Sequence, residues 1–411
     1  MRGSEALVRI QRLQFEDKPA AEALLLDVIG RLFPDLGVTG LELRPQATSL
    51  NSFNGFLTAS DGRRLFFKTH VEQDSAISEY YNAALLADAA YPVIRPLYSS
   101  TRDGQQLLVY PIIHDPPVFD IARDIERRQD FDGELARALG DAQAAEDRAL
   151  YERYCDALSY VDAETHKSAP IHQLFWHRLT GGRFDRFYGV DVQVHVPGMT
   201  VDAATLLSRR WVINGHEFTA TLQELVTRAI AMLNPAQSGP SIIGHGDAHN
   251  GNVFYSAGGL TYFDPAFAGR HDPLLDLVKP LYHNAYAMWM YFPDEEAQTL
   301  QIHLDVTGDT WIVTHNYSLN PLRAVFWSSK IEHCLRPIVH RLHAEGSLSP
   351  RWAERLRLAL MCCPLLTMNL TTFRPEIALL GLSHCVEFGS ETVDGASRLD
   401  RLLAEISDDL R

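Results

Sequence analysis

The sequence predicts an α+β protein of two lobes: a small lobe made of an antiparallel sheet and a helix, then a larger, mainly helical lobe with an insertion. Three observations carry that expectation. The chain has 411 residues, too many for one compact core. Its first quarter reads hairpin, helix, hairpin. From Pro273 to the end the apolar residues recur mostly at helical spacing.

The elements follow in order. Asp17 is a helix-capping residue, with Pro19 in the first turn behind it. Ala21, Leu24, Leu25, Val28 and Leu32 then share one helical face, and Pro34 ends the run. Residues 53–60 and 65–70 flank Asp61-Gly62, a strong hairpin signal. A helix is predicted over residues 74–89. A second hairpin is predicted with its turn at Asp103-Gly104, between 95–100 and 106–113. His114-Asp115-Pro116-Pro117 reads as a hinge, so the expected domains are 1–113 and 114–411. Residues 118–165 are charged and helix-rich. Residues 166–218 are irregular, with a hairpin turn at Asn214-Gly215. A helix over 219–233 leads through a Pro- and Gly-containing loop into the segment with the chemistry.

Composition narrows the function. Hydrophobic residues make up 46% and charged residues 22%, which is a folded, globular balance. The net charge of −15 argues against nucleic acid and anionic membranes as partners. It leans towards a cationic small-molecule substrate, but only weakly, because many soluble enzymes are acidic. Five scattered cysteines without a CxxC pair fit reduced thiols and a cytoplasmic protein. The N-terminal stretch has no apolar signal-peptide core, and no apolar run reaches membrane-spanning length.

The most specific segment is His245-Gly246-Asp247-Ala248-His249-Asn250-Gly251-Asn252. Two short strands around Ser256-Ala257-Gly258-Gly259 follow it. Asn252 opens the first strand and Asp264 closes the second. If Tyr255 pairs with Leu260, Asn252 falls opposite Phe263, one position from Asp264, where cross-strand neighbours lie about 5 Å apart. Strict alternation would send the two side chains to opposite faces, so a bulge or the strand's end must turn Asp264 inward. Amide and carboxylate oxygens suit Mg²⁺. A carboxylate at Asp247 can orient a substrate hydroxyl and accept its proton during phosphoryl transfer.

With the run from Phe263-Asp264-Pro265 to Asp272-Pro273-Leu274-Leu275-Asp276, this segment resembles the catalytic stretch of the aminoglycoside phosphotransferase/choline kinase family, which has a protein-kinase-like fold. The close resemblance covers about 241–280, and a looser one reaches back to about residue 50. It implies Asp247 as catalytic base, Asn252 and Asp264 as Mg²⁺ ligands, and ATP, or GTP, as phosphoryl donor. His245 and His249 would shape the loop. Asp272 and Asp276 match the family's second acidic pair and are expected to be mainly structural, Asp272 as a helix cap.

The family also requires a strand lysine for the phosphates and a helix carboxylate to hold it. Lys68, in Leu65-Phe66-Phe67-Lys68, is the candidate lysine. Glu79 is the only charge on a helix face shared with Ala76, Ala83, Leu86 and Ala90, so it needs a buried partner, and Lys68 is the natural one. The same resemblance makes the backbone of 110–113, with Tyr110 and Ile112, the adenine-facing segment. One feature departs from the family pattern: 48–54 contains no glycine before Gly55 and no GxGxxG. A second departure is the long stretch 115–218, which shows no recognisable family motif; part of it is expected to form an acceptor-binding insertion.

The competing readings are plainer. Lys68 and Glu79 taken singly suit ordinary surface positions. His283, Tyr286, Trp289, Met290 and Tyr291 suggest an aromatic cage for a cation, but core packing is the stronger expectation. His245, Asp247 and His249 lack a second ligand cluster for a zinc hydrolase. A P-loop, a GxSxG elbow and an HExxH motif are absent. The expected enzyme is a small-molecule kinase whose acceptor is an aminoglycoside, amino alcohol, sugar or related metabolite. A catalytically weak nucleotide-binding module and a metal-dependent phosphohydrolase are the alternatives.

Overall fold

The computed structural model describes residues 3–44, 52–70, 79–100, 106–256 and 258–411. They form the expected α+β class. Contacts divide the chain into two compact units, Met1–Pro116 with Thr261–Ala266, and Pro117–Leu260 with Phe267–Arg411.

The first unit contains α1 (Gly3–Glu16), α2 (Lys18–Leu32), β1 (Val38–Leu43), β2 (Ser52–Ala59), β3 (Arg64–His70), α3 (Glu79–Asp88), β4 (Tyr98–Ser100) and β5 (Leu107–Pro111). Its strands make one antiparallel sheet in the order β1-β2-β3-β5-β4. Asp17 caps α2 as expected, accepting from the Ala20 amide at 3.1 Å. The Asp61-Gly62 turn joins β2 to β3, with Gly62 at φ 82°. Helix α1 is an addition to the predicted elements. Its Ala6, Leu7 and Ile10 pack with Ala21, Leu25 and Ile29 of α2 onto Leu57, Leu65, Phe67 and Val109 of the sheet. Period-two alternation then puts Phe66 and Lys68 on the sheet's other face. Gly55 belongs to this packing, since a Cβ there would meet the Glu42 carbonyl at 2.1 Å. The predicted helix over 74–89 is seen from Glu79 to Asp88. Residues 48–51 and the Asp103-Gly104 turn lie outside the described residues.

The second unit opens with α4 (Val118–Arg128), α5 (Glu134–Ala157), β6 (Ser159–Val161), α6 (Ala163–Lys167), α7 (Trp176–Thr180) and α8 (Arg183–Tyr188). Next come β7 (Gln193–Val196), β8 (Met199–Asp202), α9 (Ala203–Leu207), β9 (Arg210–Ile213), β10 (His216–Glu217) and α10 (Leu222–Met232). The motif region holds β11 (Gly239–Gly244), β12 (Val253–Ser256), β13 (Gly259–Tyr262) and β14 (Gly269–His271). The remainder is α11 (Pro273–Tyr286), α12 (Met288–Tyr291), α13 (Pro293–Thr299), β15 (Ile302–Thr307), β16 (Thr310–His315), α14 (Pro321–Lys330), α15 (Arg336–Ala344), α16 (Trp352–Leu366), α17 (Pro375–Gly389) and α18 (Arg398–Asp408).

Asn214 and Gly215 adopt φ 50° and 85°, the left-handed pair that a tight hairpin turn needs. Thr221 and Glu224 cap α10 reciprocally. The stretch after Pro273 is less uniformly helical than its spacing predicts. β15 and β16 form a hairpin there, and β16 runs parallel to β9, with Trp311 in register with Trp211 and their rings 5.1 Å apart. A short sheet, β14-β11-β6, carries β11 up to the loop with the chemistry. Beneath it α11, α16 and α17 supply the core, and α11 is buried from Pro273 through Ala285. All five cysteines are free, and four are buried. Among the described residues no helix is long and apolar enough to cross a membrane.

Candidate active site

The loop after β11 is held from below by Asp276, in the first turn of α11. The Gly246 amide donates to Asp276 Oδ1 at 2.6 Å, and the Tyr154 hydroxyl donates to Oδ2. Gly246 has φ 81°, and a Cβ on it would lie 2.4 Å from the Phe267 carbonyl, so this turn admits only glycine without strain. Asp272 caps α11 by accepting from the Leu274 and Leu275 amides, and Arg355 Nη2 lies 3.2 Å from its Oδ2. Both carboxylates are 6% exposed or less. Their local work is to fix the loop and the helix beneath it.

Asp247 is the residue this loop presents. Its Oδ1 is buried with no hydrogen-bond partner among the described residues. Lys279 Nζ lies 3.9 Å from Oδ1, and His249 Nε2 lies 3.9 Å from Oδ2. Burial pushes the carboxyl up, but Lys279, His249 and Arg178 outweigh it and hold the group below the usual carboxylate range. The backbone carbonyl of Asp247 accepts from Asn252 Nδ2 at 2.9 Å. That bond occupies the amide nitrogen and leaves Asn252 Oδ1 as a hard oxygen donor. His245 and His249 use Nδ1 to accept from the Asp247 and Gly251 amides, at 3.4 and 3.1 Å. Asn284 Oδ1 accepts from the Asn250 amide at 2.7 Å.

A relay of buried and half-buried groups continues behind Asp247. Lys279 Nζ lies 3.2 Å from His283 Nε2 and 3.3 Å from Thr367 Oγ1. His283 Nδ1 is 2.7 Å from the Tyr291 hydroxyl. Burial and the neighbouring Lys279 keep His283 well below its ordinary pKa, hence neutral. Its Nε2 then accepts from the ammonium and its Nδ1–H donates to Tyr291. Burial also pushes the Lys279 ammonium down, against the pull of Asp247. Trp289 and Met290 are core, as expected of them. His283 is buried and Tyr291 half-buried, but they face His249, at ring distances of 5.8 and 6.5 Å.

In the first unit Lys68 forms a hydrogen-bonded ion pair with Asp264. Asp264 adopts φ 56° just beyond β13, so the strand's end is what turns it. The segment is stitched in place by the Ile94 amide to the Tyr262 carbonyl at 2.9 Å, and by Asn82 Nδ2 to the Pro265 carbonyl at 3.0 Å. Phe263 packs edge-on against Phe66 and Tyr110. Tyr110 is buried on β5, and Ile112 lies just past that strand. Glu79 opens α3, but its side chain, and with it the expected pairing with Lys68, lies outside the described residues.

Lys279 and Arg178 are absent from the residues that sequence reasoning selects. Lys279 carried a usable signal: it is a lone lysine in the run Leu274-Leu275-Asp276-Leu277-Val278-Lys279-Pro280-Leu281, the same kind of isolated charge that singles out Glu79. Arg178 lies in a stretch without periodicity and carried none.

The sequence profile of the phosphotransferase enzyme family matches residues 46–311, about two thirds of the chain. This chain belongs to that family. The resemblance read from the catalytic stretch is thereby borne out, and the protein is a small-molecule phosphotransferase. No curated protein matches the sequence. Solved structures similar to this family member include a thermostable mutant of an aminoglycoside phosphotransferase in its apo form, with 12% identity and a TM-score of 0.45 over 89% of this chain and 98% of that one. Another is an amicoumacin kinase in complex with AMP-PNP, Ca²⁺ and Ami, with 13% identity and a TM-score of 0.45 over 94% of this chain and 93% of that one. A third is an ethanolamine kinase of Plasmodium vivax, with 10% identity and a TM-score of 0.46 over 94% of each chain.

Proposed function

We propose that this enzyme transfers the γ-phosphoryl group of ATP to a hydroxyl of a small molecule. The observation that carries this reading is Asp247: a carboxylate held in its charged form, with one buried oxygen that has no hydrogen-bond partner among the described residues. Such an oxygen is a ready acceptor for a hydroxyl proton. In the step, the acceptor oxygen forms a bond to the γ-phosphorus. The bond from that phosphorus to the β,γ-bridging oxygen breaks, and ADP leaves with the electron pair. The hydroxyl proton passes to Asp247.

Asn252 and Asp264 are the residues that would hold Mg²⁺. One offers an amide oxygen and the other a carboxylate, the hard donors this ion prefers. When bound, Mg²⁺ neutralises charge on the phosphates. Lys68, paired with Asp264, steadies the α- and β-phosphates, and Glu79 holds Lys68. The backbone of Tyr110 and Ile112 receives the adenine. His245, His249, Asp272 and Asp276 keep the loop in shape.

The test is Mg²⁺-dependent ADP formation across a panel of alcohols and amines. Asp247→Ala is expected to abolish turnover and leave ATP binding largely intact. Turnover at the wild-type rate in that variant would sink the assignment.

A further inference from the structure

Asp247 shares its surroundings with cationic side chains, buried or half-buried, from separate elements of its unit. Lys279, on α11, is 3% exposed and lies 3.9 Å from Asp247 Oδ1. Arg178, on α7, acts electrostatically on both Asp247 and Lys279. Its Nη1 is buried without a hydrogen-bond partner among the described residues. Arg183, at the start of α8, donates to the Leu366 carbonyl at 3.2 Å and also acts on Lys279. Asp247 is the carboxylate that acts most strongly on either Lys279 or Arg178. His283 is neutral and adds no negative charge. Two cationic side chains, Lys279 and Arg178, therefore accompany one carboxylate.

A buried charge needs a partner, and a buried guanidinium nitrogen without one is costly. The phosphotransfer reading, on which this inference rests, already gives the nucleotide's phosphates Lys68 and a bound cation. Asp247 is the group that meets the acceptor, and the surplus positive charge surrounds Asp247. We propose that the acceptor carries an oxyanion, a carboxylate or phosphate ester, on the skeleton that bears its reactive hydroxyl, and that Arg178 and Lys279 bind it. The guanidinium fork suits such a group. An acceptor ammonium would instead meet two like charges beside one carboxylate. This local charge balance thus runs against the lean of the chain's net charge of −15.

The test uses two matched sets: glycerate, glycerophosphate, glycerol and aminopropanediol; and gluconate, glucose phosphate, glucose and glucosamine. Each compound is added to the full-length enzyme with Mg²⁺ and ADP for melting midpoints, and with Mg²⁺ and ATP for initial rates. An acidic member of a set is expected to raise the midpoint above its neutral and amine counterparts. Where turnover occurs, its kcat/KM should exceed theirs by about tenfold or more. A carboxylate preference over phosphate, or the reverse, identifies the oxyanion.

Arg178→Gln should remove the acid preference, and Arg178→Lys should retain part of it. A midpoint that still rises with Mg²⁺ and ADP shows that each variant is folded. Equal or absent shifts within both sets overturn the inference, as does a preference for the amine. So does an Arg178→Gln enzyme whose KM rises for ATP rather than for the acceptor, because the charge then serves the donor. Loss of Mg²⁺-dependent nucleotide binding and turnover in the wild type would sink the phosphotransfer reading itself. Nucleotide binding without acid preference sinks this inference alone.

Discussion

Two carboxylates in the second unit, Asp147 and Asp247, have opposite surroundings. Asp147, on α5, is fully buried, and each of its oxygens is engaged. Gln143 Nε2 donates to Oδ1 at 2.8 Å, Ser329 Oγ donates to Oδ2 at 2.7 Å, and Lys330 completes the shell with a hydrogen-bonded ion pair. Asp247 also has a lysine, but at 3.9 Å, and its Oδ1 accepts no hydrogen bond among the described residues. A complete shell ties α5 to α14 and leaves nothing for a ligand to do. An incomplete shell beside surplus cations is costly by itself, and it becomes sensible when a substrate hydroxyl and an anion complete it.

The same substitution at both lysines breaks or supports that contrast. Lys330→Met leaves Asp147 buried and charged without its cation. The expected loss is about 3–5 kcal/mol, read as a lower urea midpoint with an unchanged slope. Lys279→Met removes one of two cations from beside Asp247 and leaves Arg178. Its stability is expected to change by less than about 1 kcal/mol. Equal destabilisation at the two positions would mean that Asp247 is a structural carboxylate like Asp147.

Buried imidazoles extend the contrast to groups that fold neutral. Burial pushes His172 down to about 3, and it pushes His384 down to about 4. In the unfolded chain both titrate near 6.5. The unfolded state therefore gains protons first as pH falls, and stability is complete above that value and declines below it. For His172 alone, two pH units of descent correspond to roughly 2–3 kcal/mol. His172→Gln, which preserves a donor to the His166 carbonyl, should flatten part of the decline in urea midpoints between pH 6.5 and 4.5. An unchanged slope would mean that His172 is not held neutral.

Local patterns were legible in the sequence, and distant pairings were not. Asp17, Asp61-Gly62 and Asn214-Gly215 act through their own backbone neighbours, so a few residues suffice to read them. The segment 245–252 was legible for the same reason: its histidines, glycines and Asn252 bond within the loop. Lys68 could be chosen as a strand lysine, but its bond to Asp264, 196 residues away, has no local signature. α1 carried a readable signal as well: Ala6, Leu7, Ile10 and Leu13 fall on one helical face, and the exposed Arg9, Arg12 and Glu16 on the other. β16 alternates, yet its parallel partner β9 lies about a hundred residues upstream, so helical spacing around it dominated the reading. Arg178 matters through what surrounds it in space, which no spacing rule reports.

One further effect is the most specific to Asp247. Lys279 is the foremost of the groups that lower its carboxyl, against the opposing push of burial. Removing that cation takes away stabilisation of the charged form, so the carboxyl's pKa must rise. An opposite charge at this range is worth about one pKa unit or more, or about 1.4 kcal/mol. If Asp247 must be ionised to accept the proton, the acid limb of the pH–rate profile reports that value. Lys279→Met should then move the acid limb to higher pH by about one unit, while Lys279→Arg, which keeps the charge, should leave it close to the wild-type position. The profile is to be measured as the rate of ADP formation at saturating ATP. A parallel drop in rate at every pH, with no movement of the limb, would separate Lys279 from the ionisation of Asp247 and leave it a packing residue of α11.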